Sequence, residues 1–244
     1  MKIALLGYGK MGKVIERIAV ERGHEIVLKK DETNTYDGLE TADVAIDFSV
    51  PMAAVANITE AFNQNVPVVC GTTGWLERYD EVVKLCQEKN GAFLYGSNFS
   101  LGVNLFFELN AYLAKMMAKF SSVYKVSMEE IHHTQKLDSP SGTAISLAKG
   151  VIENSAYTSW TEETASDNHS SDSEQAKQIH IDAKRIENVP GTHSVFYSSD
   201  VDFIEIKHVA HNREGFALGA VLAAEWIQGK KGVFSMKDVL GLGA

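Results

Sequence analysis

The sequence predicts an α/β protein: a Rossmann-type doubly wound parallel sheet domain with a second α+β domain carrying a mixed sheet. Two observations point there. Over roughly the first hundred residues short apolar runs alternate with amphipathic stretches, the pattern of a parallel sheet covered by helices on both faces. After Asn98 that alternation gives way to one long helix and then to strands of period two.

The elements follow in order. "KIALL" (2–6) reads as a buried strand, and "KVIERIAVER" (13–22) places Val14, Ile15, Ile18 and Ala19 on one helical face. "HEIVLK" and "DVAIDF" are the next strands. "PMAAVANITEAFNQN" is a helix with Pro51 near its start, where a missing N–H costs nothing. "VPVVC" is a fourth strand, and "LERYDEVVKLCQEK" a helix closed by Asn90-Gly91. "AFLYG" is the fifth strand. Beyond it, "NLFFELNAYLAKMMAKF" is one long helix, with Met116 and Met117 as core filler. "VYKVSMEEIHH" alternates as a strand and delivers two histidines at its end, and "GTAISLAKGVIE" (142–153) is a helix. Asn154 to Gln175 reads as an exposed polar loop without chemistry. "KQIHIDAKRI", "HSVFYSS" and "DFIEIKHVA" are three alternating strands, and "EGFALGAVLAAEWIQG" is a small-residue helix that returns to the first domain. The expected division is 1–103 plus 212–244 as a dinucleotide-binding domain and 104–211 as the second domain.

Composition narrows the function. With a net charge of -9 the 244-residue chain has no basic field for nucleic acid and no attraction to an anionic membrane surface. No apolar run is long enough to span a bilayer, and no signal peptide is read at Met1-Lys2, so a cytoplasmic protein is expected. The two cysteines, Cys70 and Cys86, read as reduced core thiols.

"GYGKMG" (Gly7, Tyr8, Gly9, Lys10, Met11, Gly12) follows the first strand and opens the first helix. Gly7 permits the turn, Gly9 admits a pyrophosphate to the backbone, and Gly12 allows close helix–strand packing. The helix N-terminus offers N–H groups and partial positive charge. Asp31 lies about twenty residues on, where a ribose hydroxyl is held. Asp31 and Glu32 favour NADH, while Lys29 and Lys30 leave room for NADPH. The Gly71-Thr72-Thr73-Gly74 turn ends the fourth strand, where ligands of such sheets sit, and its bland alternative is a plain connecting loop.

The segment "EEIHHTQKLDSPSGTA" (129–144) gathers His132, His133, Lys136 and the Ser141-Gly142-Thr143 turn. Singly, each has an ordinary reading: a hydrogen-bonded core histidine, a solvated lysine, a helix start. Together they form a site for an anion that takes up a proton. Pro140 stops the helix extending backwards, Ser141 or its neighbours cap it, Lys136 adds a charge, and one histidine serves as acid. No metal is expected, because adjacent histidines project differently and no third ligand stands nearby.

This segment resembles the signature of the dihydrodipicolinate reductase family, matching at Glu130, His132, His133, Lys136, Asp138 and 140–144. "GYGKMG", "DFSVP", "GTTG", "SNFSLGVN" and "HVAHNREGFALGAVLAA" follow in the family's order, so the likeness covers nearly the whole chain. The resemblance implies NAD(P)H-dependent reduction of a cyclic imine dicarboxylate in lysine biosynthesis. It implies His132 as proton donor and acceptor, with Lys136 as second acid. His133, Gly142, Thr143 and Thr73 would hold the substrate. Gly7 to Gly12, Asp31, Gly71, Thr72, Thr73, Gly96, Ser97, Asn98 and Phe99 would line the dinucleotide. It further implies a substrate-binding and oligomerisation role for 104–211 and a homotetramer built through that domain's sheet. The chain departs from the family in a glycine loop one residue shorter than the commoner form, in Glu32 where some members carry a basic residue, and in Ser139 where alanine is common. Two other readings stay open: an NADH-binding sensor, and a reductase of another imino or keto acid.

Overall fold

The structure, a computed structural model, describes residues 1–163, 177–212 and 214–242. It divides into two compact units, Met1–Leu101 with Glu214–Ala244 and Gly102–Arg213.

The first unit is built on a six-stranded sheet. Its strands are β1 (Lys2–Leu6), β2 (Glu25–Lys30), β3 (Val44–Asp47), β4 (Val68–Cys70) and β5 (Ala92–Tyr95), with β11 (Gly232–Phe234) completing it. The order is β11-β5-β4-β3-β1-β2 and every pairing is parallel. Helices α1 (Lys10–Glu21) and α6 (Glu214–Trp226) cover one face, in a core containing Ile3, Leu5, Ile46, Val69 and Leu94. Helices α2 (Pro51–Asn63) and α3 (Tyr79–Glu88) cover the other, over Ala4, Leu6, Ala45, Val68 and Phe93. Successive strand residues thus enter opposite cores, which is why these strands read as unbroken apolar runs. The predicted helix at 13–22 begins three residues earlier, because Gly9 is its N-cap and the glycine loop runs straight into it.

Helix α6 packs through small residues, with Ala217, Gly219, Ala220, Ala223 and Ala224 all buried. A Cβ on Gly219 would stand 1.7 Å from the Phe99 carbonyl oxygen. Neither backbone can yield cheaply. We expect Gly219→Ala to lower stability by about 1–3 kcal/mol in urea titration, with the far-ultraviolet spectrum retained.

The second unit opens with α4 (Leu101–Met117), followed by β6 (Lys125–His132) and α5 (Gly142–Glu153). Its remaining strands are β7 (Ser159–Glu163), β8 (Gln178–Arg185), β9 (Thr192–Ser198) and β10 (Phe203–Val209). The sheet is mixed, in the order β10-β9-β6-β8-β7; β9 is antiparallel to β6 and β10, whereas β8 is parallel to β6 and β7. Helices α4 and α5 supply Phe106, Leu113, Leu147 and Val151 to a core with Val126, Met128, Ile179, Ile181, Val195 and Tyr197.

Three elements escaped the sequence reading. The expected loop at Asn154 to Gln175 contains β7, a polar edge strand whose Trp160 packs against the core; residues 164–175 of that loop lie outside the described residues. The three-residue β11 and the one-turn α7 (Met236–Val239) follow α6. Each is too short to display a period. Both cysteines are buried and free.

Candidate active site

The turn after β1 in the first unit is shaped for close approach by a ligand. Gly7 has φ +109°, and a Cβ there would stand 2.2 Å from the Phe48 carbonyl oxygen. A Cβ on Gly12 would lie 2.3 Å from the Gly7 oxygen, so α1 sits directly on the turn. Gly9 differs: nothing lies within 4 Å of its Cβ position, and no side chain caps the helix it begins. The first-turn N–H groups of a 12-residue helix thus border open space, which fits a phosphate. Lys10 is exposed beside it and Met11 packs against the core. Tyr8 is tied down, its hydroxyl donating to Glu16, with Lys29 bridging to the same carboxylate.

Asp31 is exposed just past the end of β2. The Thr33 N–H, the Thr33 hydroxyl and the Asn34 N–H all donate to its Oδ1. The Thr33 hydroxyl and N–H lead in holding the Asp31 carboxyl below its usual range. Lys30 is turned to the Asp31 carbonyl and the Tyr36 ring.

The turn after β4 divides its labour. Thr72 is buried: its hydroxyl donates to Asp47 Oδ2 at 2.6 Å and accepts from the Ser49 N–H at 2.8 Å, while its carbonyl accepts from Trp75 Nε1. Burial leads in pushing the Asp47 carboxyl up, against those bonds. Thr73 is exposed and Gly71 half-buried. After β5, Gly96 and Asn98 are partly buried and Ser97 is exposed. The Asn98 Oδ1 accepts from the Ser100 N–H. The Phe99 ring belongs to the core, 5.5 Å from that of Phe48. Of the positions implied to line a dinucleotide, Thr72 and Phe99 therefore turn their side chains inward.

The second unit holds the histidines. Alternation along β6 puts Val126, Met128, Glu130 and His132 on the buried face, and Glu130 is 0% exposed. The Ser141 N–H donates to both Glu130 oxygens at 3.0 Å, and both Arg185 terminal nitrogens donate to its Oε1 at 3.3 Å. His132 Nδ1 and His193 Nε2 each lie 3.6 Å from Glu130 Oε2. The two histidine rings meet edge to face, centroids 4.9 Å apart. Burial opposes ionisation of Glu130, but His193 at 3.6 Å and the bonds from Ser141 outweigh it and hold the group at about 2. Burial depresses His132 to about 4, with the adjacent Glu130 opposing and His193, Lys136 and Arg185 reinforcing the fall. His132 is therefore neutral at pH 7 in this state, rather than the ready acid that its sequence context suggests.

Beyond β6 the chain turns, the Lys136 N–H donating to the His133 carbonyl. Lys136 Nζ sits 2.8 Å from both oxygens of exposed Asp138. Ser141 caps α5, its hydroxyl accepting from the Ala144 N–H at 3.1 Å and pairing with His193 Nε2 at 3.0 Å. It is buried, so the turn presents Gly142 and Thr143 rather than Ser141. Nothing lies within 4 Å of a Cβ on Gly142, which leaves the helix start open to a carboxylate. His133 borders a cavity of about 560 Å³, lined also by Asn188, Pro190, His211 and Asn212.

His193 and Arg185 were not singled out from the sequence, and Glu130 entered only as a match to the family signature, with no role assigned. Glu130 carried a signal, a charge at a core position of an alternating strand; His193 and Arg185 reach the site only through the register of β9 and β8 beside β6. Glu130, His132 and His193 bring potential metal ligands within 4.8 Å of one another, so the third ligand missing from the sequence exists in space. Arg185 and the Ser141 N–H already balance that carboxylate, which argues against a resident cation.

Comparisons with known proteins agree across both units. Residues 1–99 match the family model described as dihydrodipicolinate reductase, N-terminus, and residues 102–240 match that described as dihydrodipicolinate reductase, C-terminus. A 4-hydroxy-tetrahydrodipicolinate reductase from Christiangramia forsetii is 54% identical, covering 98% of each chain. One from Methanosarcina barkeri is 35% identical over 96% of this chain and 83% of its own. Among solved structures, the dipicolinate-bound dihydrodipicolinate reductase from Paenisporosarcina sp. TG-14 has the same fold, with a TM-score of 0.72 at 20% identity, covering 96% of this chain and 97% of that one.

Proposed function

The chain belongs to the dihydrodipicolinate reductase family, and on that premise we propose how its own residues carry out the reaction. It is a 4-hydroxy-tetrahydrodipicolinate reductase, an oxidoreductase of lysine (diaminopimelate) biosynthesis. The observation that carries the residue assignment is the grouping of His132 and the open start of α5 around the buried Glu130, with Lys136 near enough to act on the His132 ring.

A reduced nicotinamide dinucleotide, when bound, supplies the hydride. The first unit would hold it at Gly7, Gly9, Lys10, Met11 and Gly12, where the uncapped start of α1 can accept phosphates. Asp31 would take the ribose hydroxyls, with Gly71, Thr72, Thr73, Gly96, Ser97, Asn98 and the Phe99 backbone available to hold the rest of the dinucleotide. The second unit takes the dicarboxylate. Lys136, His133, Gly142 and Thr143 balance and orient one carboxylate. The unsaturated ring would receive hydride at C4 and, as electrons move to its nitrogen, a proton at C3, which His132 would deliver with Lys136 as second acid. A dianion beside His132 raises that ring's proton affinity, so substrate binding draws in the proton that the reaction consumes.

NADH is the preferred donor in this reading. Lys29 is committed to Glu16 and Lys30 to the Asp31 carbonyl, which leaves the Asp31 carboxylate to repel a 2′-phosphate. The test generates substrate in place from pyruvate and aspartate semialdehyde with the preceding synthase, and follows NADH and NADPH oxidation in parallel. We expect oxidation that needs both proteins, with kcat/KM for NADH higher by about tenfold, ~1.4 kcal/mol. No oxidation by protein that binds NADH would sink the substrate assignment, and equal rates would sink the preference.

We also assign a homotetramer built through the second unit's sheet. Phe203 and Val209 are exposed on edge strand β10, with Val201 exposed just before it, more apolar surface than an edge strand facing water usually shows. Phe203→Glu is expected to shift the mass in light scattering toward a smaller species; an unchanged mass would remove β10 from the interface. Among the described residues no helix is long and apolar enough to cross a membrane. The two buried free thiols suit a cytoplasmic protein.

A further inference from the structure

Glu130 and Arg185 join several segments of the second unit, and neither has yet been given a role in the reaction. Glu130 alone meets three other segments: the start of α5 through the Ser141 N–H, β9 through His193, and β8 through Arg185. On its own strand it faces His132. Arg185 carries the anchor outward. Its guanidinium donates to the Asp138 carbonyl at 2.8 Å and to the Ser139 hydroxyl at 3.0 Å, in the loop that bears Lys136.

We propose that Glu130 and Arg185 are positioning residues for the reduction: Glu130 sets the tautomer and aim of the His132 ring, and Arg185 fixes the Lys136 loop to the same buried carboxylate. The proposal rests on the reading of His132 as proton donor.

Three observations support it. First, packing alone does not call for a charge here, since a buried ion pair gives little net stability over an apolar pair of similar volume. Second, His132 Nδ1 is buried and, at 3.6 Å from Glu130 Oε2, falls just beyond a hydrogen bond to any partner. A proton on Nδ1 is attracted to that carboxylate, which leaves Nε2 as the nitrogen that works on substrate. Third, a Cβ on Gly191 would come 3.1 Å from His132 Nε2, so glycine keeps space beside that nitrogen. When the ring becomes cationic, Glu130 is the anion that faces it, while His193, Arg185 and Lys136 all oppose the charge. Glu130 also contacts His193, whose Nε2 pairs with the Ser141 hydroxyl, so the start of α5 and the donor ring share one reference point.

The experiment follows the His132 ring by nitrogen-15 NMR in the full chain, with pyridine-2,6-dicarboxylate as probe and His132→Ala to assign the signals. In wild type the free ring is expected to carry its proton on Nδ1 and to titrate higher when the probe binds. In Glu130→Gln the midpoint falls, the tautomer preference weakens, and kcat drops by about tenfold or more with a smaller change in KM. Glu130→Asp restores part of each. Arg185→Met raises KM for the dicarboxylate more than it lowers kcat, and Arg185→Lys recovers part of that loss. If Glu130→Gln does not fold, Glu130→Asp carries the same ring readout, with a smaller fall expected.

A wild-type titration and pH profile in the folded Glu130 variants overturns the inference, even if His132→Ala is inactive. A shifted ring together with a fully active His132→Ala upholds the Glu130–His132 coupling and overturns the donor reading instead, so the two fail separately.

Discussion

His132→Ala should lower turnover by about 10²–10⁴-fold while NADH still binds. The range is that of a positioned general acid, and the site makes His132 such a group. It is 8% exposed, and it lies beside an ionised carboxylate near a lysine and an open helix start. Cofactor affinity should hold because the ring belongs to the second unit, whereas the glycine loop and Asp31 belong to the first. The pH dependence carries a further signature. kcat/KM reports the free enzyme, in which His132 titrates near 4; kcat reports the complex, in which a bound dianion favours the imidazolium. The fall of kcat with rising pH should therefore lie at higher pH than the fall of kcat/KM. Retained turnover in the variant, with NADH binding confirmed by fluorescence, would sink the assignment.

The same burial makes the protein acid-labile in a definite window. The folded pKa of His132 is depressed from about 6.5 to about 4, so the folded state binds fewer protons than the unfolded chain between those values. Its contribution is fully present above the unfolded pKa and is lost as pH falls through about 4. Glu130 acts in the same direction lower down: its contribution is present above about 4.5 and is lost as pH falls through about 2. Urea unfolding of wild type and His132→Gln at about pH 7, 5.5 and 4 isolates the first group. Wild type should lose roughly 3 kcal/mol more than the variant between the extremes. Parallel stability curves would mean that the ring is not held neutral by the fold.

Why some of this could be read from sequence and some could not has a physical basis. Strands β1, β3 and β4 lie between two cores, so nearly all their residues are apolar and the runs stand out. The turn at Gly7 must be glycine, because its φ is positive and the Phe48 carbonyl fills the space a side chain would need. By contrast β7 and β11 are edge strands defined by a partner: Trp160 pairs with Ile179, and Val233 with Phe93, far along the chain in the second case. Period cannot reveal such pairings. The site divides in the same way. His132, His133, Lys136, Gly142 and Thr143 fall within twelve residues and announce themselves. Glu130 stood in view as a charge on the buried side of β6 and as a signature match, but received no role. His193 faces it only because β9 runs antiparallel to β6 in the register that sets Glu130 opposite His193. The side chains of Thr72 and Phe99 go to a carboxylate that needs donors and to a core that needs a ring, which the sequence does not show and which leaves their backbones for a ligand.

Helix α6 and strand β11 bear on the order in which the protein can be made. The apolar row of Ile3, Leu5, Ile46 and Val69 is in place once β4 has formed, but much of its cover is Ala217, Ala220, Val221 and Ala224, which lie more than a hundred residues later. A nascent chain on the ribosome therefore carries a half-finished sheet with one apolar side covered only by α1 while residues 102–213 are translated. Until α6 emerges, the uncovered part of that side is open to chaperones and to other nascent copies, and a chain ending before residue 214 would keep that apolar surface exposed.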